Sequence, residues 1–353
     1  MTKEILLAYG LQANASTTPF GAGLINHTWK VEDESGTYIL QKINTTVFKN
    51  PRFISDNIQA IGNWLAKEHP SYFFCMPCTT ISGDCLVQVN EDHFRMFPFV
   101  KNTHSLTVVN NTAQAFEAAK KFGEFTKLLA QFPAQQLKIT LPHFHDLSLR
   151  YAQLQSSVAN GNQQRVEQAA ELLAFLSEQK NIVSDFESLS TSGGFKQRVT
   201  HHDTKISNVL FDDKDKAVCV IDLDTVMPGY FISDVGDMMR TYLSPAGEEE
   251  KDLSKIKLRE DYFEAIAEGY LGELHAQLTG AEIQHFIFAG KFMIYMQALR
   301  FLTDHFNNDS YYGSAYEGHN YYRAINQAHL LNLLNEKEQK LGFIVSNIMK
   351  RYY

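Results

Sequence analysis

The chain has no apolar run long enough to cross a bilayer as a helix, which takes about 18 to 20 such residues. Its most apolar stretch, His285 to Leu302, is interrupted by Lys291, Gln297 and Arg300. Cysteine is scarce: Cys75, Cys78, Cys85 and Cys219 contain one Cys-x-x-Cys spacing and no second pair to complete a zinc site. Reduced, partly buried thiols are expected. Positive charge is in the minority, 32 Lys and Arg against 40 Asp and Glu, and a net charge of −8 argues against a nucleic-acid-binding face. The segment from Met1 to Ala15 lacks the basic start and apolar core of a signal peptide. Repeats and low-complexity linkers are missing too. The expectation is a cytoplasmic protein, monomer or homodimer, with neither membrane nor nucleic acid as partner.

What is present is an ordinary globular composition, 44% hydrophobic and 20% charged, over 353 residues. That length suggests two lobes. Residues 1–100 read as a small β-rich lobe with one helix. Gly21-Ala22-Gly23 precedes a β-prone alternation to Val31, Asp33 to Gly36 is a turn, and Thr37 to Asn44 is a further strand. A glycine turn between strands suits a flap over phosphates, because glycines let the backbone approach closely. Alternation puts Gln41 and Lys42 on opposite faces of the strand, and either could be nearest the phosphates. Arg52 to Lys67 carries a helical apolar stripe without a central Glu. Cys85 to Val89 and Phe94 to Val100 read as paired strands, the second running into Phe99 and Asn102 as a hinge where an adenine could dock. Residues 101–353 turn helical, with helices expected after Asn111 and over Arg165–Gln179, Asp252–Leu278, Ala281–Phe306 and Asn320–Ser346.

Inside that helical lobe, His201-His202-Asp203-Thr204-Lys205-Ile206-Ser207-Asn208 fits the pattern H-x-D-x-x-x-x-N, and Asp222 follows the apolar run Val218 to Ile221. Phosphoryl transfer is catalysed mainly by positioning and charge neutralisation. One carboxylate must orient and deprotonate the acceptor hydroxyl, a role for Asp203. A cation, Lys205, reaches the equatorial oxygens. Mg²⁺ wants hard oxygen ligands, which Asn208 and Asp222 offer. Val209 to Phe211, a polar turn at Asp212 to Lys216, and Ala217 to Ile221 read as a hairpin whose open end brings Asn208 and Asp222 together. No Asp-Phe-Gly or Ala-Pro-Glu element of a protein kinase occurs.

On Gly21 to Asn26, Tyr38 to Asn44, His143 to Asp146, Val199 to Asn208, Ile221 to Gly229, Asp234 to Asp237 and Arg300 to Asp304, the chain resembles the aminoglycoside phosphotransferase and choline kinase superfamily. Within it the chain is similar to the N-acetylhexosamine 1-kinases. The resemblance implies an α+β, two-lobed protein-kinase-like fold with a small β-rich first lobe and a larger helical second lobe. It implies ATP and Mg²⁺ as cofactors and phosphorylation of the anomeric hydroxyl of GlcNAc or GalNAc, with Asp203 as base and Asn208 and Asp222 as metal ligands. Gly21, Gly23, Gln41, Lys42 and Phe99 would contact the nucleotide. Arg300 and Tyr311 would touch the sugar, as would Leu24, where glucosamine-type kinases carry a His. Another sugar, a cyclitol, an amino alcohol or an aminoglycoside is the alternative acceptor, and a nucleotide-binding homologue without catalysis is the remaining alternative.

Overall fold

The computed structural model describes residues 3–21 and 25–352. In the first lobe the order is α1 (Lys3–Ala8), β1 (Ser16–Pro19), β2 (His27–Asp33), β3 (Gly36–Ile43), α2 (Pro51–Glu68), β4 (Val87–Val89) and β5 (Asp92–Pro98). The strands form one antiparallel sheet in the order β1-β2-β3-β5-β4. Strand periodicity gives this sheet two chemically different faces. On one, Val31, Leu40, Phe94 and Met96 close a small core with Ile5, Leu6 and Leu11. On the other, Ile39, Gln41 and Ile43 stand beside their cross-strand partners Phe97, Arg95 and His93 and look toward the second lobe.

Helix α2 lies within the first hundred residues but packs elsewhere. Its apolar stripe, Ile54, Ile58, Ile61 and Leu65, is buried in the same cluster as the C-terminal helices. Asn57 fastens it there, donating to the carbonyls of Lys138 (2.8 Å) and Val226 (2.9 Å) and accepting from the Lys138 amide (2.7 Å).

The second lobe continues through β6 (His104–Ser105), α3 (Thr112–Leu128), α4 (Leu147–Asn160), α5 (Gln163–Gln168), α6 (Ala170–Glu178), α7 (Asn181–Thr191), β7 (Arg198–Thr200), β8 (Val209–Phe211), β9 (Ala217–Val220) and β10 (Met227–Gly229). It ends with α8 (Phe231–Tyr242), α9 (Glu260–Leu274), α10 (Gly280–Gln284), α11 (Phe286–Phe306) and α12 (His319–Met349). Asn111 caps α3 by accepting from the Gln114 amide at 2.9 Å, and Ala115, Ala119, Phe122 and Phe125 are buried along its stripe. Helices α3 and α9 cross closely enough that a Cβ on Gly269 would sit 2.5 Å from the Phe116 carbonyl oxygen. The paired β8–β9 hairpin falls where the sequence pattern puts it.

Three expected helices are shorter than their periodicity suggests. The 165–179 segment divides at Ala169, a fully buried anchor with φ −98° and ψ 14°. The 252–278 segment opens on a 3-10 turn capped by Asp252, and Arg259 then spends its guanidinium on the carbonyls of Tyr242, Leu243 and Ser244, so the helix starts at Glu260. The 281–306 segment breaks at His285, φ −99° and ψ 20°, whose Nδ1 meets the Ala281 carbonyl at 2.7 Å beside its own amide at 3.1 Å.

Candidate active site

The motif loop is held from behind by α8. Asp234, in the first turn of that helix, accepts the backbone N–H of His201 (3.1 Å) with one carboxylate oxygen and that of His202 (2.7 Å) with the other. Burial raises the Asp234 pKa to about 7. Thr204 donates its hydroxyl to the Asp234 carbonyl (2.7 Å), Tyr242 donates to the Thr204 carbonyl (2.6 Å), and Thr225 donates to the His201 carbonyl (2.7 Å). The loop therefore has little freedom to change shape.

His201 is wholly buried against the rings of Phe122 and Phe125. Its Nε2 meets the Ile221 carbonyl at 3.0 Å, and its Nδ1 lies 3.4 Å from the Asp203 amide. These contacts select a neutral ring that donates through Nε2 and accepts through Nδ1. His202 is also buried. It sits at φ 67° and bonds the carbonyls of Thr200 and Thr225 through Nδ1, both at 3.1 Å. Its ring occupies the space that a side chain at Gly229 would need. Burial pushes its pKa down to about 4.

Between these supports Asp203 stands about a quarter exposed. Its Oδ2 accepts from Lys205 Nζ at 2.9 Å and from Asn208 Nδ2 at 3.0 Å. Burial alone would raise its pKa, but the Lys205 charge and the two donors hold it below the usual carboxylate value. Lys205 in turn is raised: burial works against its charge, and Asp203, Asp222 and Asp237 outweigh it. The result is an ionised carboxylate beside a charged ammonium at the mouth of the site.

The hairpin delivers the other wall. The Ile221 amide donates to the Asn208 carbonyl at 2.9 Å, which locks the open end of β8 and β9. Asp222 follows in the left-handed region, φ 59° and ψ 59°. Burial and then the nearby Asp224 and Asp203 charges raise its pKa to about 7. Asn208 spends its NH₂ group on Asp203 and leaves its side-chain carbonyl without a donor among the described residues. An amide oxygen and a crowded carboxylate that gains from a neighbouring cation fit Mg²⁺, which takes few protein ligands and completes its octahedron with water and phosphate. Among the described residues no cluster of three or more His, Cys, Asp or Glu side chains is arranged to hold a metal by itself.

The nucleotide-side residues divide. Gly21 is exposed at φ 76°, where glycine is favoured. Gly23 and Leu24 lie outside the described residues. Gln41 is on the sheet face that looks into the cleft, where it accepts from Arg95 Nε at 3.0 Å. Lys42 is not: the two-residue alternation turns it to the opposite face, where it pairs with Asp92 at 2.6 Å. Phe99 donates its amide to the Thr37 carbonyl (3.0 Å) and meets Phe20 edge to face, with ring centroids 6.0 Å apart. Arg95 itself carried no sequence signal. It is 3% exposed and contacts Asp224, 2% exposed, at 2.5 Å.

The acceptor-side residues come together. Arg300 on α11 lies 5.9 Å from the ring of Tyr311, 5.5 Å from that of Tyr312 and 5.9 Å from that of Phe144. Its only side-chain hydrogen bond among the described residues goes to Gln297, at 3.2 Å. Tyr311 is 73% exposed, and its backbone and that of Tyr312 are fixed by Asp304. Phe144 stacks on His145, which is 5.3 Å from the ring of His202 and so ties this wall to the motif loop.

The profile of the phosphotransferase enzyme family matches residues 16–277. The chain belongs to that family. Its two-lobed, kinase-like fold recurs in solved structures of low sequence identity. The microcompartment-associated aminopropanol kinase is 18% identical and superposes with a TM-score of 0.63, covering 96% of this chain and 97% of that one. The Plasmodium vivax ethanolamine kinase is 15% identical, TM-score 0.61, covering 95% and 89%. Spectinomycin phosphotransferase in complex with ADP and spectinomycin is 14% identical, TM-score 0.60, covering 95% and 97%. The phosphotransferase thus has its motif loop, hairpin and α8 assembled around one cleft.

Proposed function

We propose that this phosphotransferase is an ATP- and Mg²⁺-dependent kinase that phosphorylates the anomeric hydroxyl of an N-acetylhexosamine, GlcNAc or GalNAc, giving the sugar 1-phosphate. The observation that carries the kinase chemistry is the ionised Asp203, held by Lys205 and Asn208 across from Asp222. The acceptor hydroxyl hydrogen-bonds to the Asp203 carboxylate. As its oxygen forms the new bond to the γ-phosphorus, the bond from that phosphorus to the ADP oxygen breaks and the proton passes to Asp203. Lys205 faces the equatorial oxygens, where negative charge is spread. Asn208 through its side-chain carbonyl and Asp222 would hold Mg²⁺, which would supply neutralisation of phosphate charge. Asp234 and His201 keep Asp203 in place.

The lining of the acceptor side favours a sugar over a cationic amine. An ammonium group would call for a free carboxylate, and the carboxylates here are engaged. Asp304 accepts from Tyr311, Tyr312 and Asn320. Asp309 pairs with Arg165, and Asp237 takes Arg240 on Oδ1 while its buried Oδ2 has no donor among the described residues. Glu248 is shared by Arg240 and Arg323. What faces the space instead is a guanidinium without a carboxylate partner, Arg300, between aromatic rings. Such a fork suits ring hydroxyls or an acetamide oxygen, and the rings suit a sugar face.

An ATP-consumption screen with Mg²⁺ against GlcNAc, GalNAc, glucose, galactose, myo-inositol, choline and kanamycin, with ³¹P NMR of any product, tests this reading. An anomeric phosphate on an acetamido sugar is expected. Turnover restricted to choline or kanamycin would overturn the sugar assignment and keep the kinase chemistry.

A further inference from the structure

We propose that Arg95 of β5 is the cation that grips the phosphates of the bound nucleotide, and that Asp224, which contacts it across the cleft, competes with those phosphates for it. The inference rests on the kinase reading above and adds to it a residue that no motif announces.

A kinase cleft needs a positive group over the phosphates. The third strand does not supply one here. Lys42 is bound to Asp92 on the far face of the sheet, and Gln41, on the cleft face, is neutral. Arg95 is the residue directly across from Gln41 in the β3–β5 register, on the same face. Among the described residues of the first lobe it is the one buried cation. Lys30 of β2 shares this face but is paired with Glu32 of its own strand, whereas the carboxylate partner of Arg95 lies in the other lobe.

Its surroundings show what it waits for. A guanidinium at 3% exposure needs compensation, and that compensation comes from the other lobe, two residues beyond the proposed metal ligand Asp222. Arg95 Nη1 and Asp224 Oδ1 touch at 2.5 Å, yet neither atom has an aligned hydrogen bond. The aligned donor is Nε, toward Gln41. The terminal fork is matched in charge but not in geometry, so its directional donors stay available for phosphate oxygens. The second oxygen of Asp224 accepts from Asn26 Nδ2 at 2.7 Å, and Asn26 accepts from the Asn44 amide at 3.0 Å. One carboxylate thus engages both the ceiling arginine and the strand end next to the glycine turn. An incoming nucleotide would exchange one anion for another at Arg95, and Asp224 would keep its Asn26 donor.

The test compares dissociation constants for ATP and for adenosine by calorimetry, in EDTA so that metal ligation plays no part. Arg95→Met should weaken ATP binding by about tenfold or more while adenosine binding stays within about twofold, and Arg95→Lys should fall between. Asp224→Asn should tighten ATP binding several-fold without changing adenosine, because the competing carboxylate charge is gone. A structural ion pair would instead make both ligands weaken together in Arg95→Met, or leave the ATP-to-adenosine ratio unchanged in both variants, and either result overturns the proposal. Wild-type protein that binds neither ligand overturns the kinase reading itself. Should Arg95→Met not fold, the Asp224→Asn ratio decides alone.

Discussion

Asp234 holds His202 by its backbone, accepting that N–H at 2.7 Å, and keeps this non-glycine residue in the left-handed region at φ 67°. The residue after His202 is Asp203, so a single carboxylate on α8 fixes the direction in which the proposed base points. The arrangement also buries an imidazole that the fold holds neutral.

That burial makes stability depend on acid. The His202 pKa in the folded state, about 4, lies below its unfolded value of 6.5. Between those values the unfolded chain binds the extra proton, so stability present above pH 6.5 is lost as pH falls toward 4. Asp234, raised to about 7, acts in the opposite sense over a similar window, so the informative quantity is a difference between proteins. His202→Asn removes the titrating ring and keeps a donor. Urea unfolding at pH 7 and pH 4 should show wild type losing up to about 3 kcal/mol relative to the variant. A pH-independent difference would mean that the ring does not titrate in this way.

Asp203→Asn keeps the size of the side chain and removes its basicity. Turnover should fall by about 10² to 10⁴-fold, the usual contribution of a positioned base, with the ATP dissociation constant nearly unchanged. Near-normal kcat would remove Asp203 from the chemistry.

Arg300→Ala should raise the acceptor KM about tenfold or more and leave the ATP KM within about twofold, since the lost interaction lies on one substrate only. Arg300→Lys should recover only part of the loss, because an ammonium cannot reproduce the guanidinium fork. Parallel rises in both KM values would assign Arg300 to packing against Tyr312 and Phe144.

Gly236 sits where α8 crosses α11, and a Cβ there would run into the Ala289 carbonyl and the Met293 side chain. Gly236→Ala gains about 1 kcal/mol of helix propensity, but forcing the two helices apart should cost about 1–3 kcal/mol more than that gain. Because α8 carries Asp234, kcat should fall alongside the urea midpoint. Unchanged stability would show that the crossing can relax.

Local chemistry was legible in the sequence. The H-x-D-x-x-x-x-N spacing and the hairpin that follows lie within one short stretch, so hydrogen bonds between near neighbours decide their geometry, and the Ile221 amide meets the Asn208 carbonyl at the hairpin's open end. Residues whose meaning depends on distant partners were not legible. Asp234 was part of a matching segment without an assigned task, because its ligands are amides more than thirty residues upstream. Arg95 reads as an ordinary strand residue until the sheet register sets it beside Gln41 and the interlobe approach brings Asp224 to it. The helix breaks at Ala169 and His285 escaped periodicity for the same reason: one is set by burial, the other by an imidazole bond to a carbonyl, and both positions fit an uninterrupted stripe.

Helix α2, pinned to the large lobe through Asn57 and a fully buried apolar stripe, carries a consequence for control. In two-lobed kinases governed by a swinging helix, on and off states differ in where that helix docks. A helix sunk into the main core of this chain cannot be swung out without opening that core.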